Sequence, residues 1–101
     1  MDSALSLHSV VVATKNRISY SFREETFIAN VNNSRCYEVD AVGTRVWNLL
    51  QQPRTVCEIR DAMLEEYDAE PERCERDLLE FLGKMQAEGL IEVEPKGSDQ
   101  S

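Results

Sequence analysis

At Asp40 the apolar residues of this chain change their period, and that switch constrains the fold more than any other feature. Before it, short β-branched or alternating runs predominate; after it, apolar residues recur at helical spacing. Val10-Val11-Val12-Ala13 has the composition of a strand. Ile18-Ser19-Tyr20-Ser21-Phe22 alternates with period two, the mark of a strand buried on one face. Thr26-Phe27-Ile28-Ala29-Asn30-Val31 reads as a further strand. Asn32-Asn33-Ser34 suits a tight turn, because Asn tolerates left-handed backbone angles, and Arg35-Cys36-Tyr37-Glu38-Val39 then returns as the antiparallel partner. The residues before Asp40 therefore predict a small β-meander with a hairpin at Asn32-Asn33.

Asp40 itself is suited to cap a helix, since its carboxylate can accept the orphan N–H groups of a first turn. Val42, Val46, Leu49 and Leu50 follow at helical spacing, with Trp47 beside them as a core residue, and Gln51-Gln52-Pro53 ends the run. Thr55-Val56-Cys57-Glu58 fits a capping box opening a second helix, whose stripe is Val56, Ile59, Met63 and Tyr67. Pro71 suits the first position of a third helix, where a missing N–H costs nothing. There Cys74, Leu78, Phe81, Leu82 and Met85 form one core-facing stripe. Gly89 fits the position just past that helix, and Leu90-Ile91-Glu92-Val93 packs back on the core. Strands followed by helices give an α+β class: an N-terminal three-stranded antiparallel β-meander, then a three-helix winged-helix-like bundle. The domain is expected over residues 9–93, with a flexible arm at 1–8 and a disordered polar tail at 94–101, which carries Pro95 and Gly97.

The chain has 101 residues, 19 acidic against 11 basic, for a net charge of −8. That balance disfavours nucleic acid, which needs a basic face to displace counterions, and an anionic membrane surface. No apolar run approaches the ~20 residues of a membrane span, and the N-terminus lacks the basic region and apolar core of a signal peptide. A cytoplasmic protein is expected. Cys36, Cys57 and Cys74 are odd in number and widely spaced, which reads as free thiols. His8 is the single histidine. The cysteines offer no paired zinc ligands and no adjacent base for a nucleophile, so neither metal, cofactor nor enzymatic activity is expected.

An ordered series of motifs resembles the PqqD-like family, also called RiPP recognition elements. The series runs Tyr37-x-x-Asp40-x-x-Gly43, Trp47-x-Leu49-Leu50, Arg54-Thr55-Val56-x-Glu58-Ile59, Glu66-Tyr67-Asp68, Asp77-Leu78-Leu79-x-Phe81-Leu82 and Gly89-Leu90-Ile91. Asp40 stands where many relatives have Asn, and either residue can cap. The resemblance implies a non-catalytic domain that binds the leader segment of a ribosomally synthesised precursor peptide. It is greatest to the stand-alone form of lasso-peptide clusters, whose partners are a leader peptidase and an ATP-dependent macrolactam synthetase. It further implies that the leader adds an antiparallel strand beside Arg35 to Val39 and lies in a groove against the third helix.

The residues of that expected site are Arg35, Cys36, Tyr37, Glu38 and Val39 on the strand, and Arg73, Asp77, Leu78, Glu80, Phe81 and Lys84 on the helix. On the strand, Arg35, Tyr37 and Val39 share one face and Cys36 and Glu38 the other. On the helix, Arg73, Asp77, Glu80 and Lys84 form one polar line beside an apolar floor of Leu78 and Phe81. The same four charges equally fit i,i+4 salt bridges on a solvated face, and Tyr37 fits either the core or the groove. A winged-helix DNA-binding regulator is the alternative that the three-helix order admits. Its recognition helix would hold Arg73, Arg76 and Lys84 against Glu72, Glu75, Asp77, Glu80 and Glu88, a poor match to a phosphate-lined groove.

Overall fold

The computed structural model describes residues 5–94. The elements in chain order are β1 (Val10–Ala13), β2 (Arg17–Phe22), β3 (Glu25–Asn30), β4 (Arg35–Val39), α1 (Ala41–Leu49), β5 (Arg54–Thr55), α2 (Val56–Glu66), α3 (Pro71–Ala87) and β6 (Ile91–Val93). The class is α+β as expected, with antiparallel strands preceding three helices. The meander is β2-β3-β4. β1 is not part of it: it is the central strand of a second sheet, β5-β1-β6. The continuous apolar run Val10–Ala13 suits such a place, because Val11 and Ala13 are buried on one face and Val10 and Val12 are half-buried on the other. Val11 lies opposite both Arg54 and Val93, and Ala13 opposite Ile91.

This second sheet draws distant parts of the chain together. Val56 N donates to Ser9 O at 3.0 Å, Cys57 N to Leu7 O at 3.0 Å and Glu94 N to Val10 O at 2.8 Å. Residues 1–4 of the expected arm and 95–101 of the expected tail lie outside the described residues. Within the arm, Leu5 and Leu7 pack against the core.

The local signals operate as read. The Asp40 carboxylate accepts from Gly43 N at 2.9 Å at the start of α1. Thr55 and Glu58 exchange both bonds of a capping box, and Pro71 opens α3. Gly89 takes φ +75°, the left-handed conformation that ends α3. In the β3–β4 turn the left-handed residue is Ser34 (φ 60°), whereas Asn33 accepts from Arg35 N through its side chain at 3.0 Å.

Ile28, Val46, Trp47, Leu50, Ile59, Leu78, Leu82 and Leu90 fill the core between the meander and the helices. Trp47 is 2% exposed and donates its indole N–H to Ser19 Oγ at 3.4 Å, while the Arg17 guanidinium lies 5.9 Å over its ring. The inward face of β2 is thus polar, and its apolar residues Ile18, Tyr20 and Phe22 face solvent. The alternation is real, but the apolar side is the outer one. Val42 and Tyr67, which lie on helical apolar stripes, are also exposed.

Asn30 pins the C-terminal end of α3 to the meander. It is buried, donates through Nδ2 to Glu88 O at 2.9 Å and accepts through Oδ1 from Asn32 N at 2.8 Å. Among the described residues no helix is long and apolar enough to cross a membrane. Asn30→Ala leaves the Glu88 carbonyl and the Asn32 N–H without these partners. The expected cost is about 1–3 kcal/mol, read from denaturant unfolding followed by Trp47 fluorescence.

Candidate functional site

The main-chain polarity of β4 follows from one bond. Val31 N donates to Asn16 O at 3.1 Å, in line with the pairing of Arg17 with Asn30 and Ile18 with Ala29. Alternate residues of an antiparallel strand aim their main-chain groups at opposite neighbours. Val31, Ala29 and Phe27 therefore bond towards β2, and Asn30, Ile28 and Thr26 towards β4. Their partners on β4 are Arg35, Tyr37 and Val39. The N–H and C=O groups of Cys36 and Glu38 consequently point away from β3, to an edge where no strand pairs among the described residues.

The side chains of β4 divide as their alternation requires. Tyr37 and Val39 are half-buried against the core, and Cys36 and Glu38 are exposed on the outer face. Arg35 shares the side of Tyr37 and sits with its guanidinium 5.7 Å from that ring. The Tyr37 hydroxyl donates to Glu88 Oε1, and Arg35 Nη1 lies 3.5 Å from the same carboxylate. The hydrogen bond to Glu88, aided by burial, raises the Tyr37 hydroxyl above its ordinary pKa. So Arg35 and Tyr37 are engaged with the end of α3, and Tyr37 serves both core and rim.

At the other end of β4 a groove of about 640 Å³ opens between α1, α3 and the α2–α3 connection. Its apolar surface comes from Val42, Gly43, Val46, Met63, Leu78 and Phe81, and its rim from Asp40, Asp68, Glu70, Arg73 and Asp77. Gly43 is where the walls converge. A Cβ at that position would stand 2.9 Å from Val39 Cβ and 3.4 Å from Phe81 Cε1. The absence of a side chain there lets the end of β4, the first turn of α1 and the middle of α3 come into contact.

Of the expected helix residues, Arg73, Asp77, Leu78 and Phe81 line the groove. Glu80 and Lys84 do not line it; both are exposed further along α3. Arg73 and Asp77 also form the i,i+4 pair, at 3.8 Å with 72% and 62% of each side chain exposed. A pair so open is worth at most a few tenths of a kcal/mol, so either group can re-pair with a ligand at little cost. No ion pair joins Glu80 to Lys84 among the described residues.

Several groove residues were not legible as site residues. Val42 and Tyr67 looked like core; their position at the margins of the apolar stripes was the available signal. Asp68 and Glu70 looked like connection. Glu88, which ties β4 to α3, carried no signal among so many acidic residues. Arg45 Nε reaches both Glu66 carboxylate oxygens, at 2.8 and 2.7 Å, and so fastens the end of α2 to α1 beside Tyr67. That guanidinium holds the Glu66 carboxyl below the usual range. Cys74, also on the groove wall, has its thiol pushed up by burial, which opposes thiolate chemistry. Cys36, Cys57 and Cys74 are all free, and no cluster of metal-ligating side chains occurs among the described residues.

The family model described as coenzyme PQQ synthesis protein D (PqqD) matches residues 25–91, from β3 to the first residue of β6. A solved structure described as TbiB1 in complex with the TbiA(beta) leader peptide is similar, with a TM-score of 0.77 and 28% identity. The match covers 84% of this chain and 99% of that one. No curated protein matches. The matched segment contains β4, the groove and all of α3, and on this span the chain belongs to the PqqD family as a PqqD-like RiPP recognition element.

Proposed function

We propose that this chain binds the leader segment of a ribosomally synthesised precursor peptide as an added strand on the free edge of β4. It then presents the bound precursor to a leader peptidase and a macrolactam synthetase, as in cytoplasmic lasso-peptide maturation. The observation that carries the reading is the outward main chain of Cys36 and Glu38 together with an apolar groove that opens at Asp40, just past the end of β4. An extended peptide satisfies such an edge with its own N–H and C=O groups, which gives affinity with little demand on sequence. Side chains on one face of the added strand then enter the groove, which gives specificity. The likeness to a structure that holds a leader peptide supports the same reading.

The roles divide by position. Arg35, Cys36, Tyr37, Glu38 and Val39 form the template strand, with Arg35 and Tyr37 also held by Glu88. Leu78 and Phe81 form the floor on which apolar leader residues rest. Asp77 accepts hydrogen bonds from the leader, and Arg73 leaves its weak partner to meet a leader carboxylate or carbonyl. Glu80 and Lys84 lie outside the groove and can meet only the leader's continuation along α3. The loose Arg73–Asp77 pair favours exchange, whereas the caps and the Arg45–Glu66 pair keep the walls in place. A pre-formed groove loses little entropy on binding.

Fluorescence polarisation of a labelled leader peptide, with a labelled DNA duplex as control, tests the reading. Saturable binding of the leader but not the duplex is expected. Asp77→Ala should weaken it by about tenfold, the loss of a hydrogen bond to a charged group. Glu38→Pro removes an N–H that points out of the sheet, so it should weaken binding while the circular dichroism spectrum persists. Unchanged affinity in both variants would reject the site.

Gly43→Ala replaces a poor helix former but sets a Cβ 2.9 Å from Val39 Cβ, so the end of β4 must shift from α1. Overpacking of this kind costs about 1–3 kcal/mol. A lower unfolding midpoint together with weaker leader binding is the expected pair of results, and a midpoint at or above that of the unsubstituted protein would show that the contact at Gly43 is not tight.

A further inference from the structure

Tyr67 follows the apolar stripe of α2 but stays out of the core. Val56, Ile59 and Met63 of that stripe are buried, whereas Tyr67 is 38% exposed and lines the groove at the α2–α3 connection. Its main chain is held on both sides: Tyr67 N donates to Met63 O at 2.8 Å, and Tyr67 O accepts from Ala69 N at 3.0 Å. Three other aromatic rings already carry a guanidinium of this chain, Arg17 over Trp47, Arg23 over Phe22 and Arg35 over Tyr37. Among the described residues Tyr67 carries none. An aromatic face held open to a groove in this way is a seat for a cation.

The charges beside the ring select the same kind of ligand. The charged residues of the groove are Asp40, Asp68, Glu70, Arg73 and Asp77. Arg73 and Asp77 offset each other, and Asp40 caps α1. Asp68 and Glu70 remain; both are exposed, and neither joins an ion pair among the described residues. The guanidiniums of α1 and α2 are engaged elsewhere, Arg45 with Glu66 and Arg60 with Asp61 and Glu75. Glu70 stands at the N-cap of α3 without a side-chain capping bond, so the helix end does not occupy its carboxylate. We infer that Tyr67, Asp68 and Glu70 form a receptor for one basic side chain, a Lys or Arg of the bound leader.

This rests on the proposed role of the groove as the leader's seat, and adds what the leader must carry. In a strand antiparallel to β4, the residues facing Val39 come before those facing Arg35. The segment ahead of the added strand therefore passes Asp40 and enters the groove, whose lining continues to Tyr67, Asp68 and Glu70. There the aliphatic stem of a Lys or Arg covers apolar surface from Met63 and Leu78 while its charged end meets the ring and the carboxylates. A leader with an acidic residue at this point is repelled, so the receptor discriminates among leaders as well as adding affinity. The positive end of α3 favours carboxylates nearby even without a ligand. That role would show in the thermal melt and not in the rate at which leader associates.

Equilibrium and stopped-flow polarisation of the labelled leader peptide with the full chain test the inference. The variants are Tyr67→Leu, which keeps an apolar side chain, and the pair Asp68→Asn with Glu70→Gln, which keeps the shapes and removes the charges. A second peptide has every Lys and Arg of the leader replaced by Gln. Both forms of the protein are expected to bind the unsubstituted leader about fivefold more weakly. For the acidic pair the loss should fall mainly on the association rate. Raising NaCl from about 0.05 M to about 0.5 M should weaken binding to the unsubstituted chain and have less effect on the acidic pair. The Gln peptide should bind all forms equally weakly, which couples the leader cation to the receptor. Thermal melts should stay unchanged, and if Tyr67→Leu fails to fold, the acidic pair decides. Equal affinity of all forms for the unsubstituted leader overturns the inference. So does a Gln peptide that binds as tightly as the leader, or a lower melt of the acidic pair with leader affinity unchanged. In each of these three results the leader still binds, and the reading of the groove stands. No leader binding by the unsubstituted chain overturns that reading and the inference together.

Discussion

The close approach at Gly43 is the contact on which the candidate site depends. Val39 ends β4, Asp40 caps α1 and Gly43 sits in the first turn of that helix, so strand and helix meet within a few residues. Phe81 of α3 closes on the same point. Any side chain at Gly43 would push the strand end from the helix and widen the base of the groove. A single backbone position thus couples the edge that offers main-chain hydrogen bonds to the apolar floor beside it.

Other contacts hold the remaining walls. Asn30 and Glu88 tie the meander to the end of α3, and Glu88 also receives Tyr37 and Arg35 from β4. Arg45 and Glu66 fasten α2 to α1 on the far side of the groove. The β5-β1-β6 sheet closes the structure by joining residues near both ends of the described chain. Among the described residues, the edges of the meander and the groove rim are left open. The two faces of the meander differ. Its inner side and β4 edge adjoin the groove, and its outer side carries Tyr20, Phe22 and Phe27.

Features set by neighbouring residues were legible in the sequence, and those set by distant ones were not. Asp40, Thr55, Pro71 and Gly89 announced helix ends because capping is decided within one turn. Leu78, Phe81, Asp77 and Arg73 could be assigned to one side of α3 because helical spacing fixes which residues lie together. Glu80 and Lys84 obey the same spacing but run past the groove, whose length depends on where α1 and the α2–α3 connection lie. β1 was read as part of the meander because its partners, β5 and β6, come from much later in the chain. The inversion of β2 was hidden for a related reason. Period two shows that one face is apolar, but the packing of Trp47, Ser19 and Arg17 decides that the polar face turns inward.

Amide hydrogen exchange of the chain with and without saturating leader peptide tests the central claim most directly. The account predicts new protection at the Cys36 and Glu38 amides, the two N–H groups of β4 that point away from β3, with the β2 amides of Ser19 and Ser21 unchanged. Protection that appears at Ser19 and Ser21 instead, or at neither edge, would contradict strand addition at β4.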